Sequence, residues 1–264
     1  MSLIGQRTKI KREMVDLHCH ILPGLDDGSP TYEESVMMAS IAADSGVAII
    51  VATPHSFGNE SFGDEFRDTV TSAVNDLQSV LDSEGIPIKL VPGTEIYARE
   101  DTSELLLSGE LLTLGGTKYA LIEFDFAERS RNMYSMLESV LNAGFIPVVA
   151  HPERYDCVLD NPLVAEEMVR HGCLLQVNKG SLLGAFGSDV MRSSISLVRR
   201  GLACCVASDA HSAYRRTTDM SEVKKMLVEL TSPEEARQLL SKNPIKILRG
   251  ETFPSFEKMG TDRK

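Results

Sequence analysis

The sequence predicts an α/β fold, a barrel of seven strand–helix units in a single domain, on three observations. Seven short runs rich in Val, Ile, Leu and Ala recur along the chain, with segments of helical periodicity between them. That alternation implies parallel strands joined by right-handed crossovers. The runs are also nearly continuous in apolar residues, as strands buried on both faces must be. At 264 residues and 42 % hydrophobic, the chain has ample material for one sizeable core, and no repeat or linker divides it.

In order, the strand runs are residues 14–17, 47–53, 88–92, 119–124, 146–150, 173–178 and 203–208. The first predicted helix, 33–45, places Val36, Met37, Ile41 and Ala42 on one face. The second, 64–84, repeats Phe66, Val70, Val74, Leu77 and Leu81 at three- and four-residue intervals. Helices at 133–143, 162–171 and 189–200 end at Gly144, Gly172 and Gly201. The tail reads as helices at 221–230, 233–240 and 244–248, the middle one capped by Ser232 with Glu234 and Glu235 in its first turn. Residues 1–13 are expected to form an arm outside the domain, 14–250 the domain, and 251–264 a polar tail.

The polar residues follow the strands. The stretch VDLHCHILPGLDDG delivers His18 and His20, which an extended chain points to one side, and then Asp26 and Asp27 in a Pro/Gly-punctuated loop. The later runs end in ATPHS (His55), PGTEI (Glu95), LIEF (Glu123), AHPER (His151 and Arg154), VNKGS (Asn178 and Lys179) and ASDAH (Asp209 and His211). In a parallel barrel, functional residues gather at the C-terminal ends of several strands. Five of the six histidines lie there; His171 instead precedes Gly172, where it suits a helix C-terminus.

Nine candidate metal ligands result: His18, His20, Asp27, His55, Glu95, Glu123, His151, Asp209 and His211. They are histidines and carboxylates without cysteine, which suits Mn, Zn or Fe bound with water. Nine are too many for one ion, so two or three ions sharing carboxylates are expected. Three dications against the carboxylates of this set leave a net positive pocket, matched to a phosphate-monoester dianion. Metals in such a pocket supply a nucleophile near neutral pH and clamp the attacking and leaving oxygens.

Composition excludes other classes. The net charge of -11 argues against non-specific nucleic-acid binding. No run of apolar residues is long enough to span a membrane. The basic N-terminal stretch lacks an apolar segment and a small-residue cleavage site, so a cytoplasmic protein is expected. Five cysteines, mostly inside apolar runs, read as reduced and buried thiols. A cysteine-dependent phosphatase needs Cys and Arg six residues apart, and the corresponding positions are Leu25, Leu163, Lys179, Ala210 and His211.

Seven ordered motifs, LHCHILPGLDDG, ATPH, GTEI, LIEF, AHPERY, QVNKGSLLG and ASDAH, resemble those of the PHP (polymerase and histidinol phosphatase) superfamily. Within it they are most similar to the bacterial capsule-polysaccharide-type tyrosine-protein phosphatases. The resemblance runs from Val15 to about Arg216, with NPIKILRGE near the end similar too. It implies a distorted (β/α)7 barrel and a cluster of two or three metal ions, usually Mn2+, with Fe or Zn as alternatives. Residue by residue, it implies that His18, His20, Glu95 and Asp209 hold one ion. Glu95, Glu123 and His151 would hold a second, and Asp27, His55 and His211 a third. Arg154 and Arg216 would bind the phosphoryl group, with Asp26 and Arg215 as competitors of Asp27 and Arg216. The implied reaction is attack by a metal-bridging hydroxide on phosphotyrosine in a bacterial tyrosine kinase that controls capsule or exopolysaccharide synthesis. The alternative is a histidinol-phosphate phosphatase or another small-molecule phosphoesterase with the same metal site. One departure is the loop after His55, SFGNESFGDE, which lacks the second histidine that many relatives carry.

A metal-dependent amidohydrolase on a similar barrel is a further rival. It commonly needs a carbamylated lysine at a strand end, and no Lys follows the third or fourth run. A metal-stabilised scaffold without activity would have lost ligands, and every expected position is filled.

Overall fold

The structure, a computed structural model, describes residues 13–56 and 64–253. All seven predicted strands form, and all pair in parallel. β1 (Met14–Cys19), β2 (Val47–Ala52) and β3 (Lys89–Pro92) make one sheet. β4 (Glu95–Tyr97), β5 (Tyr119–Glu123), β6 (Ile146–Ala150), β7 (Leu174–Asn178) and β8 (Ala203–Ala207) make a second. The third predicted run, 88–92, matches β3; the stave continues beyond it as β4, which the sequence reading did not include, after a break at Gly93–Thr94. The break stays bridged: Gly93 N–H donates to the Ala52 carbonyl at 3.0 Å, and Glu95 N–H to that of Pro54 at 3.1 Å. A Cβ on Gly93 would come 2.8 Å from Val51 Cγ1, so only glycine lets the chain cross there.

Two apolar layers follow from the strand alternation. Val15, Leu17, Val51, Tyr119, Leu121, Val148, Ala150, Leu174 and Cys205 fill the barrel interior. Ile50, Leu90, Ala120, Ile122, Val149, Leu175 and Val206 pack outward against the helices. Each stave thus carries an inward ladder that turns polar at its C-terminal end, as in Val51–Thr53–His55 and Tyr119–Leu121–Glu123.

The helices match the predicted segments to within a few residues. α1 is Tyr32–Ser45, α2 Asp64–Ser83, α4 Ser130–Asn142, α6 Leu163–Arg170, α8 Ser188–Arg199 and α9 Ser221–Leu230. On α2 the predicted stripe of Phe66, Val70, Val74, Leu77 and Leu81 is buried. On α1 the buried face is Ser35, Met38, Ala39, Ala42 and Ala43, while Met37 is exposed. Small residues bring that helix close to the barrel, so its apolar stripe is the less bulky one. Three short helices are not legible as periodicity: α3 (Thr102–Ser108), α5 (Asp156–Asp160) and α7 (Lys179–Leu182).

The barrel seam lies between β1 and β8. It closes directly only at the C-terminal end of the strands, where His20 N–H donates to the Ala210 carbonyl and Asp209 N–H to that of His18, at 2.9 and 2.8 Å. Lower down a wedge of helix fills it. α10 (Pro233–Arg237) runs through one wider turn, Gln238–Lys242, into α11 (Asn243–Leu248). Ser232 caps α10 as predicted, accepting from Glu235 N–H. Ser241 Oγ donates to the Glu13 carbonyl, Asn243 Nδ2 to that of Cys204, and Ile247 is buried in the barrel interior. Below it, the Tyr119 hydroxyl donates to the Glu251 carbonyl and its ring meets Phe253 edge-on. Of the predicted arm and tail, 1–12 and 254–264 lie outside the described residues, as does 57–63 of the loop after His55.

Tyr155 joins the two staves that end in Glu123 and His151. It is fully buried; its hydroxyl donates to the Ala150 carbonyl at 2.9 Å and accepts from Phe124 N–H at 3.1 Å. Tyr155→Phe leaves both backbone groups buried and unpaired, and is expected to cost about 1–3 kcal/mol. Urea unfolding checks this: the midpoint falls while the slope is unchanged.

Candidate metal centre

His18 and His20 do reach one place, though not by simple alternation. With Val15 and Leu17 pointing inward, strict pleating would send His18 outward. A register irregularity between Asp16 and Cys19 turns the strand, so that Cys19 packs in the outer layer and both imidazoles face the cluster. Their Nε2 atoms are 3.1 Å apart. Glu95 Oε2 lies 2.9 Å from His18 Nε2, 3.1 Å from His20 Nε2 and 3.2 Å from His55 Nδ1. Asp209 Oδ1 stands 3.5 and 3.6 Å from the same two Nε2 atoms.

His151 comes one residue after the inward Ala150, so extended backbone would carry it away. Its φ of 36° brings it back, with Nε2 2.9 Å from Glu95 Oε1. Asp209, with φ of 49°, is the other described non-glycine residue in the left-handed region. Among the described residues, left-handed strain outside glycine thus falls on two candidate ligands, where the fold must over-determine it.

Three sets of ligand atoms lie close enough to share an ion: His18, His20, Glu95 and Asp209; His20, Asp27, His55 and His211; and His55, Glu95 and Glu123. The sequence expectation paired Glu123 with His151. Here His55 Nδ1 meets Glu123 at 2.7 Å, and His151 touches the shared Glu95 from its other oxygen. The donor chemistry fits metal ions. Glu95 Oε2 makes no well-formed hydrogen bond although three imidazole nitrogens converge on it, and His151 Nδ1 is likewise buried without a hydrogen-bond partner. A cation among these lone pairs would satisfy what hydrogen bonds do not.

Asp26 and Asp27 stand in different settings. Asp27 is 68 % exposed and sits 3.3 Å from His211 Nε2 and 3.5 Å from His55 Nε2. Asp26 is buried against His20 Nδ1 at 2.6 Å and accepts from Gly28 and His55 N–H, so it orients an imidazole from behind. Gln176, unremarked in the sequence, does the same for His18: its Oε1 lies 2.9 Å from Nδ1. The inward ladder Leu174–Gln176–Asn178 was the available signal, a polar residue in register within a buried run. Asn178, whose role the sequence left open, caps α7 through Gly180 N–H and donates from Nδ2 to Asp209.

The electrostatics express this crowding. Burial opposes a charge on His20, yet the Asp26 and Glu95 carboxylates beside its two ring nitrogens hold its pKa well above the ordinary value. Burial likewise opposes charge on Asp209, and the positive His18 and Arg216 outweigh it, lowering the carboxyl to about 2. Asp26 falls to about 2 against burial, through His20. Burial and the neighbouring His20 push His211 down to about 4.

The two arginines meet at the lip. Arg216 Nη2 is 2.5 Å from Asp209 Oδ1 and Arg154 Nη1 is 3.6 Å from Oδ2, whereas Arg215 is exposed. Beside them opens a cleft of about 420 Å³ lined by Asp26, Asp27, His55, Tyr97, Glu123, Phe124, Asp125 and Phe126.

If Gln176 fixes the His18 ring, Gln176→Leu lowers metal affinity about 10–100-fold with the fold intact. Gly28→Ala should act similarly, because its Cβ would fall 2.2 Å from the His20 carbonyl oxygen. Calorimetric metal titration with circular dichroism of the same samples checks both.

Comparison with known proteins agrees with this architecture. The sequence profile of the family described as capsular polysaccharide synthesis, CpsB/CapC, matches residues 14–249. The tyrosine-protein phosphatase YwqE of Bacillus subtilis (strain 168) is 36 % identical over 240 residues, covering 91 % of this chain and 93 % of YwqE. CpsB of Streptococcus pneumoniae, also a tyrosine-protein phosphatase, is 28 % identical over 89 % of this chain and 98 % of its own. A chain from the crystal structures of YwqE and CpsB, described as unique metal-dependent tyrosine phosphatases, superposes with a TM-score of 0.83 at 34 % identity, covering 91 % of this chain and 96 % of that one. With a profile spanning nearly all of the described barrel, the chain belongs to the CpsB/CapC capsular polysaccharide synthesis family.

Proposed function

We propose that this chain is a metal-dependent protein-tyrosine phosphatase, acting on a bacterial tyrosine kinase that controls capsule or exopolysaccharide synthesis. The observation that carries the reading is the pair of guanidinium groups, Arg154 and Arg216, meeting on Asp209 at the edge of a buried His/Glu/Asp cluster. Its relatives YwqE and CpsB are named tyrosine-protein phosphatases, which supports the same substrate class here. The catalytic domain is residues 14–250, and the unpaired state of all five cysteines fits a cytoplasmic setting.

In this reading His18, His20, Glu95 and Asp209 hold one ion, Glu95, Glu123 and His151 a second, and Asp27, His55 and His211 a third. The ions are Mn2+, with Fe or Zn as alternatives. When bound, they act as Lewis acids and lower the pKa of coordinated water toward neutrality. Gln176 and Asp26 hold the His18 and His20 rings with Nε2 toward Glu95, the orientation that metal binding would require. Arg154 and Arg216 each present a planar fork of N–H donors, which pairs with two phosphoryl oxygens and compensates the charge that builds on them. Phe126 and Phe186 face the two sides of the Arg154 guanidinium, at 4.4 and 4.3 Å from its carbon, and fix its plane before substrate arrives. A phenolate leaves with a conjugate-acid pKa of about 10, so its departure demands less proton transfer than an alkoxide's.

The manganese-loaded protein should hydrolyse a phosphotyrosine peptide faster than histidinol phosphate and lose the activity on chelation. Arg154→Ala and Arg216→Ala should each lower kcat/KM about 10²–10³-fold at unchanged metal content. Equal or better turnover of histidinol phosphate would overturn the assignment in favour of a small-molecule phosphoesterase.

A further inference from the structure

Phe126 is 43 % exposed at the rim of a charged site, an unusual place for a large aromatic side chain. Its position is fixed: its carbonyl accepts Asp156 N–H at 2.9 Å, and Asp125 beside it closes the turn by accepting Ala127 and Glu128 N–H. The Phe126 ring stacks on Arg154 and approaches the His151 ring to 6.0 Å. Phe186, on the other side of Arg154, lines a separate cavity with Arg215 and Arg216. Holding the guanidinium therefore accounts for Phe186, but not for the exposed part of Phe126. That ring also lines the cleft that contains Asp27, His55 and Glu123, together with Tyr97 and Phe124.

We propose that Phe126 is a specificity-determining residue that receives the phenyl ring of phosphotyrosine, a deepening that rests on the phosphatase reading above. A phosphoryl group held by Arg154 lies beside the ring stacked on that arginine. Its ester substituent enters the cleft beside Phe126, where an aryl group gains an offset or edge-to-face contact with that ring. A serine-type ester has no ring to place there, and its peptide backbone would have to descend below the Phe126 rim.

The test compares wild type with Phe126→Ala, Phe126→Leu and Phe186→Ala, all manganese-loaded and matched for metal content by elemental analysis. Substrates are one peptide sequence carrying phosphotyrosine or phosphoserine. Both Phe126 variants should lower kcat/KM for the phosphotyrosine peptide about tenfold more than for the phosphoserine peptide, and Phe186→Ala should lower both in parallel. Calorimetric titration gives a readout without turnover: the preference for phenylphosphonate over methylphosphonate should shrink about tenfold in the Phe126 variants alone. Parallel losses on both peptides with an unchanged phosphonate preference would overturn the inference, leaving Phe126 as a support for Arg154. A wild type that hydrolyses neither peptide would instead overturn the phosphatase reading, and this inference with it.

Discussion

Glu95 sits at the centre of this molecule in a position that ordinary solvation would never allow. It is 1 % exposed, three imidazole nitrogens approach one of its oxygens within 3.2 Å, and a fourth imidazole holds the other. Buried ionisable groups at such density are costly unless paired, and their mutual attraction offsets the lost hydration only in good geometry. The scaffold must therefore hold the cluster against both solvent and its own electrostatics. Seven inward ladders, packed into one apolar interior below, give that stiffness. The partners behind the ligands complete it: Gln176 on His18, Asp26 on His20 and Asn178 on Asp209.

The same constraint explains where the backbone departs from regularity. The irregularity in β1, the left-handed His151 and Asp209, and the broken third stave all lie within a residue or two of a candidate ligand. Regular strands would deliver side chains at alternate positions only. A cluster this compact needs ligands at positions that alternation does not reach, and each departure supplies one. Elsewhere the described strands shift register at two places: Leu175–Gln176, where Gln176 supports His18, and Met14–Val15 at the start of β1, which no candidate ligand explains.

Much of this was legible in the residues. The seven runs, the helical stripe of Phe66, Val70, Val74, Leu77 and Leu81, and the strand-end histidines and carboxylates follow from periodicities that burial imposes. The reorienting bulge before Cys19 was not, because a one-residue irregularity leaves the apolar pattern of VDLHC intact. Asp26 and Asp27 are adjacent and chemically identical, so only their three-dimensional setting separates the buried partner of His20 from the exposed candidate ligand. On α1, Met37 looked like core and is exposed, because close approach to the barrel selects Ala39, Ala42 and Ala43 instead. The fusion of the last two of the three predicted tail helices rests on a wide turn at Gln238–Lys242, a departure that helical periodicity does not register.

The wedge that fills the seam between β1 and β8 bears on how the protein is made. His18 and His20 are among the earliest residues translated into the barrel, but β1 cannot be flanked on its open side until β8 and the helix from Pro233 to Leu248 exist. Domains fold as units as they emerge from the ribosome. Here the candidate ligands on β1 must wait for the last-made elements of the barrel before the cluster can close. The cluster therefore reaches its final geometry only once the wedge has filled the seam, however early its histidines are made.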